Sequence, residues 1–181
     1  MKHKMKYTIF YILLFILTAS GCKDKTEVEP NKWALPPLTA EGANTLGCLV
    51  NGEPFVADRE VIPYMGSQWN MSVKFYNNEI IRVYSEDLDR NSNSVLLTFP
   101  FDKGIDKIRI PTSTDYGFTK FTDFSFFGGR QYSVIDSDLS WVSILAYKDN
   151  EYVSGTFQFT GVSSEGDTVR ITDGRFDIAL D

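Results

Sequence analysis

The chain of 181 residues is 43% hydrophobic, 23% charged and 14% aromatic, the composition of a folded protein and not of a disordered or collagenous one. Acidic residues outnumber basic ones by 24 to 18, and there are only one His, at position 3, and two Cys, at positions 22 and 48. Nucleic-acid binding draws on Lys and Arg neutralising phosphates, and an acidic chain whose basic residues are interleaved with acids argues against such a partner.

Residues 1–21 read as a signal peptide. Lys2, Lys4 and Lys6 make a cationic start, and Tyr7 to Ala19 is an apolar run of 13 residues. That length falls within the roughly 7–15 residues of a secretory core and short of the ~20 that a membrane-crossing helix needs. The next residues, Ala19-Ser20-Gly21-Cys22, resemble the lipobox of bacterial lipoproteins, with Ala19 where Leu is usual. The resemblance implies that Cys22 is acylated, becomes the new N-terminus and holds the chain to a membrane. Lys23 to Lys32 is charged, contains Pro30 and lacks apolar periodicity, so it cannot bury enough surface to order itself. Residues 22–37 are therefore expected to be a flexible tether. Its charged start is loosely similar to the signals that send lipoproteins of Bacteroidota to the outer leaflet of the outer membrane. The expected location is the outer membrane, facing the periplasm or the cell surface.

Removing residues 1–21 leaves 15 basic and 24 acidic side chains, a net charge of −9, and no histidine. A chain without histidine cannot use Ser-His-Asp or Cys-His catalysis or a His-ligated zinc or copper site. With Cys22 acylated, Cys48 has no intrachain partner and no disulfide can staple the fold. A hydrophobic core must hold residues 38–181 together as one domain.

In chain order, Gly47–Val50 and Glu53–Val56 flank Asn51-Gly52, a strong hairpin signal because both turn residues tolerate positive φ. A two-residue loop there places Cys48 opposite Phe55, which makes Cys48 a small buried apolar side chain. Trp69, Met71, Val73 and Phe75 alternate with polar residues as in a half-buried strand. Ile80–Tyr84, Val95–Phe99, Lys107–Ile110, Asp123–Phe127, Arg130–Val134 and Ser140–Lys148 read as further strands, and at most one short helix fits within Thr112–Thr122. Phe157 and Phe159 belong to another strand, which turns through Ser163–Asp167. Val169 and Ile171 resume the alternation on odd positions, whereas Phe176, Ile178 and Leu180 are even. Across Asp173-Gly174 the chain must either reverse in a hairpin or carry a β-bulge. About ten short strands predict an all-β fold, an antiparallel β-sandwich or a flattened barrel.

The two ends of this body, Leu35-Pro36-Pro37-Leu38-Thr39-Ala40-Glu41-Gly42-Ala43-Asn44-Thr45-Leu46-Gly47-Cys48-Leu49-Val50-Asn51-Gly52 and Ser154-Gly155-Thr156-Phe157 with Ile171-Thr172-Asp173-Gly174-Arg175-Phe176-Asp177-Ile178, resemble a family of Bacteroidota lipoproteins of uncharacterised function. The resemblance implies an envelope location and a β-rich fold. It implies no catalytic residue.

Candidate sites come from side-chain chemistry. Glu86 to Asn93 alternates oxygen-bearing side chains as a calcium loop does, but Ser92 and Thr98 stand where such a loop needs Gly and Glu, so a solvated turn is expected and no metal or cofactor. Asp136 and Asp138 are the least arbitrary carboxylate pair for a glycan hydrolase. Aromatic residues are the better site-makers: Trp69, Phe124, Phe126, Trp141 and Tyr147 are candidates for a ligand platform, although Trp141–Lys148 is apolar on both faces and also reads as a buried central strand. Asp167-Thr168-Val169 is similar to the acid-hydroxyl-aliphatic pattern of O-glycosylation in Bacteroidota, which makes Thr168 a candidate. The expected function is a lipid-anchored, non-enzymatic binding or interaction module whose partner is a glycan, a small apolar ligand or a protein. A carboxylate-dependent glycan hydrolase and a purely structural envelope component are the alternatives.

Overall fold

Asn51 and Gly52, at φ 52° and 91°, turn the chain tightly between β1 (Thr45–Val50) and β2 (Glu53–Val56), and Cys48 pairs with Phe55 as the two-residue loop requires. The computed structural model describes residues 34–57, 71–76, 79–87, 93–101, 107–112, 119–125, 128–135 and 138–180. Nine more strands follow: β3 (Met71–Tyr76), β4 (Ile80–Asp87), β5 (Asn93–Pro100), β6 (Ile108–Arg109), β7 (Lys120–Asp123), β8 (Arg130–Val134), β9 (Trp141–Lys148), β10 (Tyr152–Val162) and β11 (Thr168–Ala179). The described residues contain no helix, and the sheet is antiparallel and curled into a half-barrel.

The main path of the sheet runs β2-β1-β11-β10-β8-β7-β5-β4-β3. One side of β10 is lined by β11 throughout. The other side pairs with β9 from Tyr152 to Gln158 and with β8 at Gly161 and Val162. The sheet therefore forks around Phe159–Thr160, and β9 takes a further short partner in β6. Inward-facing residues of the curled sheet meet in one core, in which Phe99, Phe157, Phe159 and Phe176 are the largest fully buried side chains. Alternation by two explains the membership: Ile81 and Val83 on β4, Val95, Leu97 and Phe99 on β5, and Val153, Phe157 and Phe159 on β10 all point inward.

Two bulges reset this alternation. In β11, Phe157 pairs with Gly174 but Phe159 with Ile171, so Thr172 and Asp173 together face the single residue Gln158. β1 shows the same shift between Gly47 and Leu49. The phase change between Ile171 and Phe176 is thus a bulge inside one long strand, and the reversing hairpin is excluded because β11 is flanked by β1 and β10 on both sides of the shift. Asp173 sits at φ 51°, a region that Asp tolerates better than most residues. In β9, Ser154 pairs with Ala146 but Gly155 with Ile144, which leaves Leu145 as an extra residue. Val142 and Ile144 face inward before it and Tyr147 faces inward after it. Tyr147 then closes an aromatic triangle with Phe75 and Phe101, at centroid distances of 4.9–5.9 Å, that joins β3 at one end of the sheet path to β9.

Residues 35–44 form a strap over the outer face of β1 and β11. Pro36 packs on Gly47, where an added Cβ would lie 2.5 Å from the Pro36 ring, and Arg175 donates to the Pro36 carbonyl at 3.2 Å. Asp177, only 1% exposed, accepts from the backbone N–H of Glu41 at 3.1 Å and of Gly42 at 2.8 Å. The Asn44 amide oxygen accepts from Ala179 N–H at 2.9 Å. Pro36, within the stretch expected to be tether, is thus packed on the sheet.

Candidate functional site

The outer face of β9 carries the side chain chemistry closest to a platform. Trp141, opposite Gln158 on β10 and Arg109 on β6, points away from the core. The Lys107 ammonium lies 4.3 Å from the centre of its ring, a cation over an aromatic face. The Arg109 guanidinium contacts the Asp138 carboxylate at 3.3 Å, both well exposed. Leu145 is placed outward by its bulge and is 48% exposed; Leu139 and Ile135, in the connection leading into β9, are 55% and 40% exposed. The Gln158 amide donates to the Leu139 carbonyl and Ile135 N–H donates to the Thr160 carbonyl, so both residues are held to β10.

A second feature is an open polar cleft of about 780 Å³ between the start of β8 and the β10–β11 turn, lined by Arg130, Gln131, Ser133, Ser163, Ser164 and Glu165. Arg130 bridges the Asp167 and Glu165 carboxylates, the latter at 2.9 Å. One guanidinium thereby ties two side chains of the turn to the start of β8. The Ser163 hydroxyl completes that turn by accepting from Glu165 and Asp167 N–H at 3.2 Å.

Of the aromatic residues singled out from the sequence, Phe124, Trp141 and Tyr147 are among the described residues. Cys22, Trp69 and Phe126 lie outside the described residues, as do Asp136 and most of the loop between Glu86 and Asn93. Phe124 is 46% exposed on the turn after β7. Trp141 and Tyr147 do not share a face, because the bulge at Leu145 turns Tyr147 into the core while Trp141 stays outside. The strand expected at Asp123–Phe127 ends at Asp123, whose carboxylate accepts Ser125 N–H at 2.9 Å while Asn93 accepts Phe124 N–H at 3.0 Å. Those local bonds compete with continued pairing and start a turn. Nor is β9 buried on both faces: Val142 is fully buried and Leu145 is open to solvent.

Glu86, at the start of the expected oxygen-rich loop, accepts from the Tyr84 hydroxyl at 3.0 Å, and burial together with that carboxylate pushes the phenol up to about 12. Asp138 stands apart with Arg109. Thr168 is exposed at the first position of β11, opposite Val162. Cys48 is fully buried, and desolvation pushes its thiol far up, so at neutral pH it is neither a nucleophile nor a thiolate ligand. Among the described residues no group of three His, Cys, Asp or Glu side chains is placed to hold a metal ion, and no helix is long and apolar enough to cross a membrane.

Sequence reasoning missed the role of Arg130, Glu165 and Asp167, and it placed Leu145 in a buried strand. The acid cluster around the 163–167 turn was visible, but its cation comes from a strand about 35 positions earlier, and a bulge has no unique residue signature. Compared with known proteins, no family model, no curated protein and no solved structure matches the chain.

Proposed function

We propose that this protein is a lipoprotein of the outer membrane whose acylated Cys22 anchors a β-domain acting as a non-enzymatic binding or interaction module in the cell envelope. The observation that carries this reading is the sequence Ala19-Ser20-Gly21-Cys22 after a cationic and apolar leader, followed by a chain without histidine. Four carboxylates among the described residues have structural partners, which agrees with a binding role. Asp177 is spent on backbone N–H groups, Glu165 and Asp167 on Arg130, and Glu86 on Tyr84. A glycosidase instead needs two carboxylates about 5–9.5 Å apart across a cleft, one with a raised pKa. The outward Trp141 beside Lys107, Arg109 and exposed aliphatic side chains supplies contact surface without reactive groups.

A thermal-shift screen of the folded body against glycans, lipids and divalent cations tests the reading. A binding module predicts that one of these classes raises the melting temperature in a dose-dependent way, since a ligand that binds only the native state stabilises it by mass action. A flat response to all three, with no hydrolysis of the glycans, points to a structural component instead.

A further inference from the structure

On the outer face of the sheet, at its β3 end, two cations meet. Lys74 on β3 and Arg82 on β4 are directly paired, so their side chains leave the same face as neighbours, about 5 Å apart at Cβ. Val73 and Phe75 on one strand and Ile81 and Val83 on the other turn to the core, which puts both cations outside. Neither has an ion-pair partner among the described residues, although acidic residues outnumber basic ones by 24 to 18 in the chain. The carboxylate that shares their face on β4 is Glu86, four residues beyond Arg82 and so about 13 Å along the strand, and it is bonded to the Tyr84 hydroxyl. Like charges directly opposite one another cost stability, so the packing of the sheet gives no reason for this juxtaposition.

The guanidinium is held in place. Arg82 Nη1 donates to the Tyr76 hydroxyl at 3.2 Å, and the guanidinium carbon lies 5.2 Å from the centre of the Tyr76 ring. Yet Arg82 Nε is buried and has no acceptor. On β5 the residue paired with Arg82 is Thr98, fully buried, whose hydroxyl also lacks a partner, while its backbone is satisfied by the Thr119 hydroxyl. Buried polar groups are nearly always paired in folded proteins, and unpaired ones mark places where a further group belongs. Of the buried side-chain atoms without partners among the described residues, Arg82 Nε and Thr98 Oγ1 are the two that sit on directly paired residues. Lys74, Arg82 and Thr98 thus form a row across three strands in which every side chain carries a hydrogen-bond donor and no carboxylate receives it.

We infer that the row Lys74-Arg82-Thr98 is a binding site for an oxyanion, a sulfate or phosphate group, held by the Lys74 ammonium and the Arg82 guanidinium beside the Thr98 hydroxyl. A tetrahedral oxyanion has oxygens enough to accept from both cations at once, and its negative charge removes the repulsion between them. The group arrives either as the free ion or as an ester on a polymer such as a sulfated glycan. The site does not depend on the acylation of Cys22.

Thermal melts of the purified full chain test the site, with sodium sulfate or phosphate replacing chloride at constant ionic strength. The native chain should show a saturable rise in melting temperature at millimolar anion, since only the folded state presents the row. Lys74→Glu turns the like-charge pair into an ion pair, so it should melt higher than the native chain in chloride and lose the response to both anions. Arg82→Gln should weaken the apparent affinity roughly tenfold. Because Arg82 also packs on Tyr76, the exposed Lys74 decides the test should Arg82→Gln not fold. Arg170→Gln, on β11, should respond as the native chain does. A rise that is linear in salt and equal in Lys74→Glu is the general effect of sulfate and phosphate on proteins and overturns the site, as does a flat response of the native chain. Dextran sulfate acting at a far lower concentration of sulfate groups than the free ion, and only with Lys74 in place, assigns the ligand to a polymer; equal potency per group assigns it to the free ion.

Discussion

Asp177 shows how one buried carboxylate ties a distant segment of chain to the sheet. Its burial disfavours the charged carboxylate, yet the Thr39 hydroxyl and the N–H groups of Glu41, Gly42 and Ala43 outweigh that cost and hold its pKa below the ordinary value. The charged form is therefore the one that binds the strap, and its contribution is complete above the carboxylate range and lost as pH falls through the lowered pKa. Asp177→Ala leaves buried donors unpaired and should cost about 2–4 kcal/mol, measured by urea unfolding at neutral pH. Asp177→Asn should flatten the loss of stability that the native protein shows below about pH 4. A mutant as acid-sensitive as the native chain would assign that loss to other carboxylates. Arg175, two residues earlier on the same face, holds the other end of the strap through the Pro36 carbonyl. The Arg-Phe-Asp sequence thus alternates two outward grips on the strap with one inward core ring.

At the scale of elements, bulges decide which side chains are available. Without the extra residue in β11, either Val169 and Ile171 or Phe176 and Ile178 would face outward; with it, all four are buried. The conformation demands a residue that accepts φ 51° at position 173 and one without a side chain at 174, where a Cβ would lie 2.5 Å from the Phe157 carbonyl. Gly174→Ala should therefore destabilise by about 1–3 kcal/mol, since backbone must move. Asp173→Gly should be close to neutral and Asp173→Val costly by about 1–3 kcal/mol in the same thermal melts. The bulge in β9 turns Tyr147 inward onto Phe75 and Phe101 and leaves Leu145 outside. A double-mutant cycle on Phe101→Leu and Tyr147→Leu should give a coupling of about 0.5–1.5 kcal/mol. A value near zero would mean that the triangle packs by area alone.

For the whole molecule, what was legible depended on how local its cause is. The hairpin at Asn51-Gly52, the pairing of Cys48 with Phe55 and the turn at 163–167 rest on a few adjacent residues, and each was readable from them. The β-class followed from alternation. The bulge at Asp173 was readable only as one of two alternatives, because the choice depends on β1 and β10 flanking the strand on both sides. Trp141 and Tyr147 part at Leu145, since alternation read along one strand cannot register an inserted residue. The two end motifs had no visible connection in the sequence. In the fold they form one unit, with Asn51 pairing with Arg170, Asn44 with Ala179, and the strap with Arg175 and Asp177. They account for one another structurally, which leaves the proposed acylation of Cys22 as the claim on which the functional reading depends. Metabolic labelling of cells with a fatty acid tests it most directly. The account predicts label in the native protein, recovered with the membranes, and its loss in Cys22→Ala; equal labelling of both, or none in either, would contradict it.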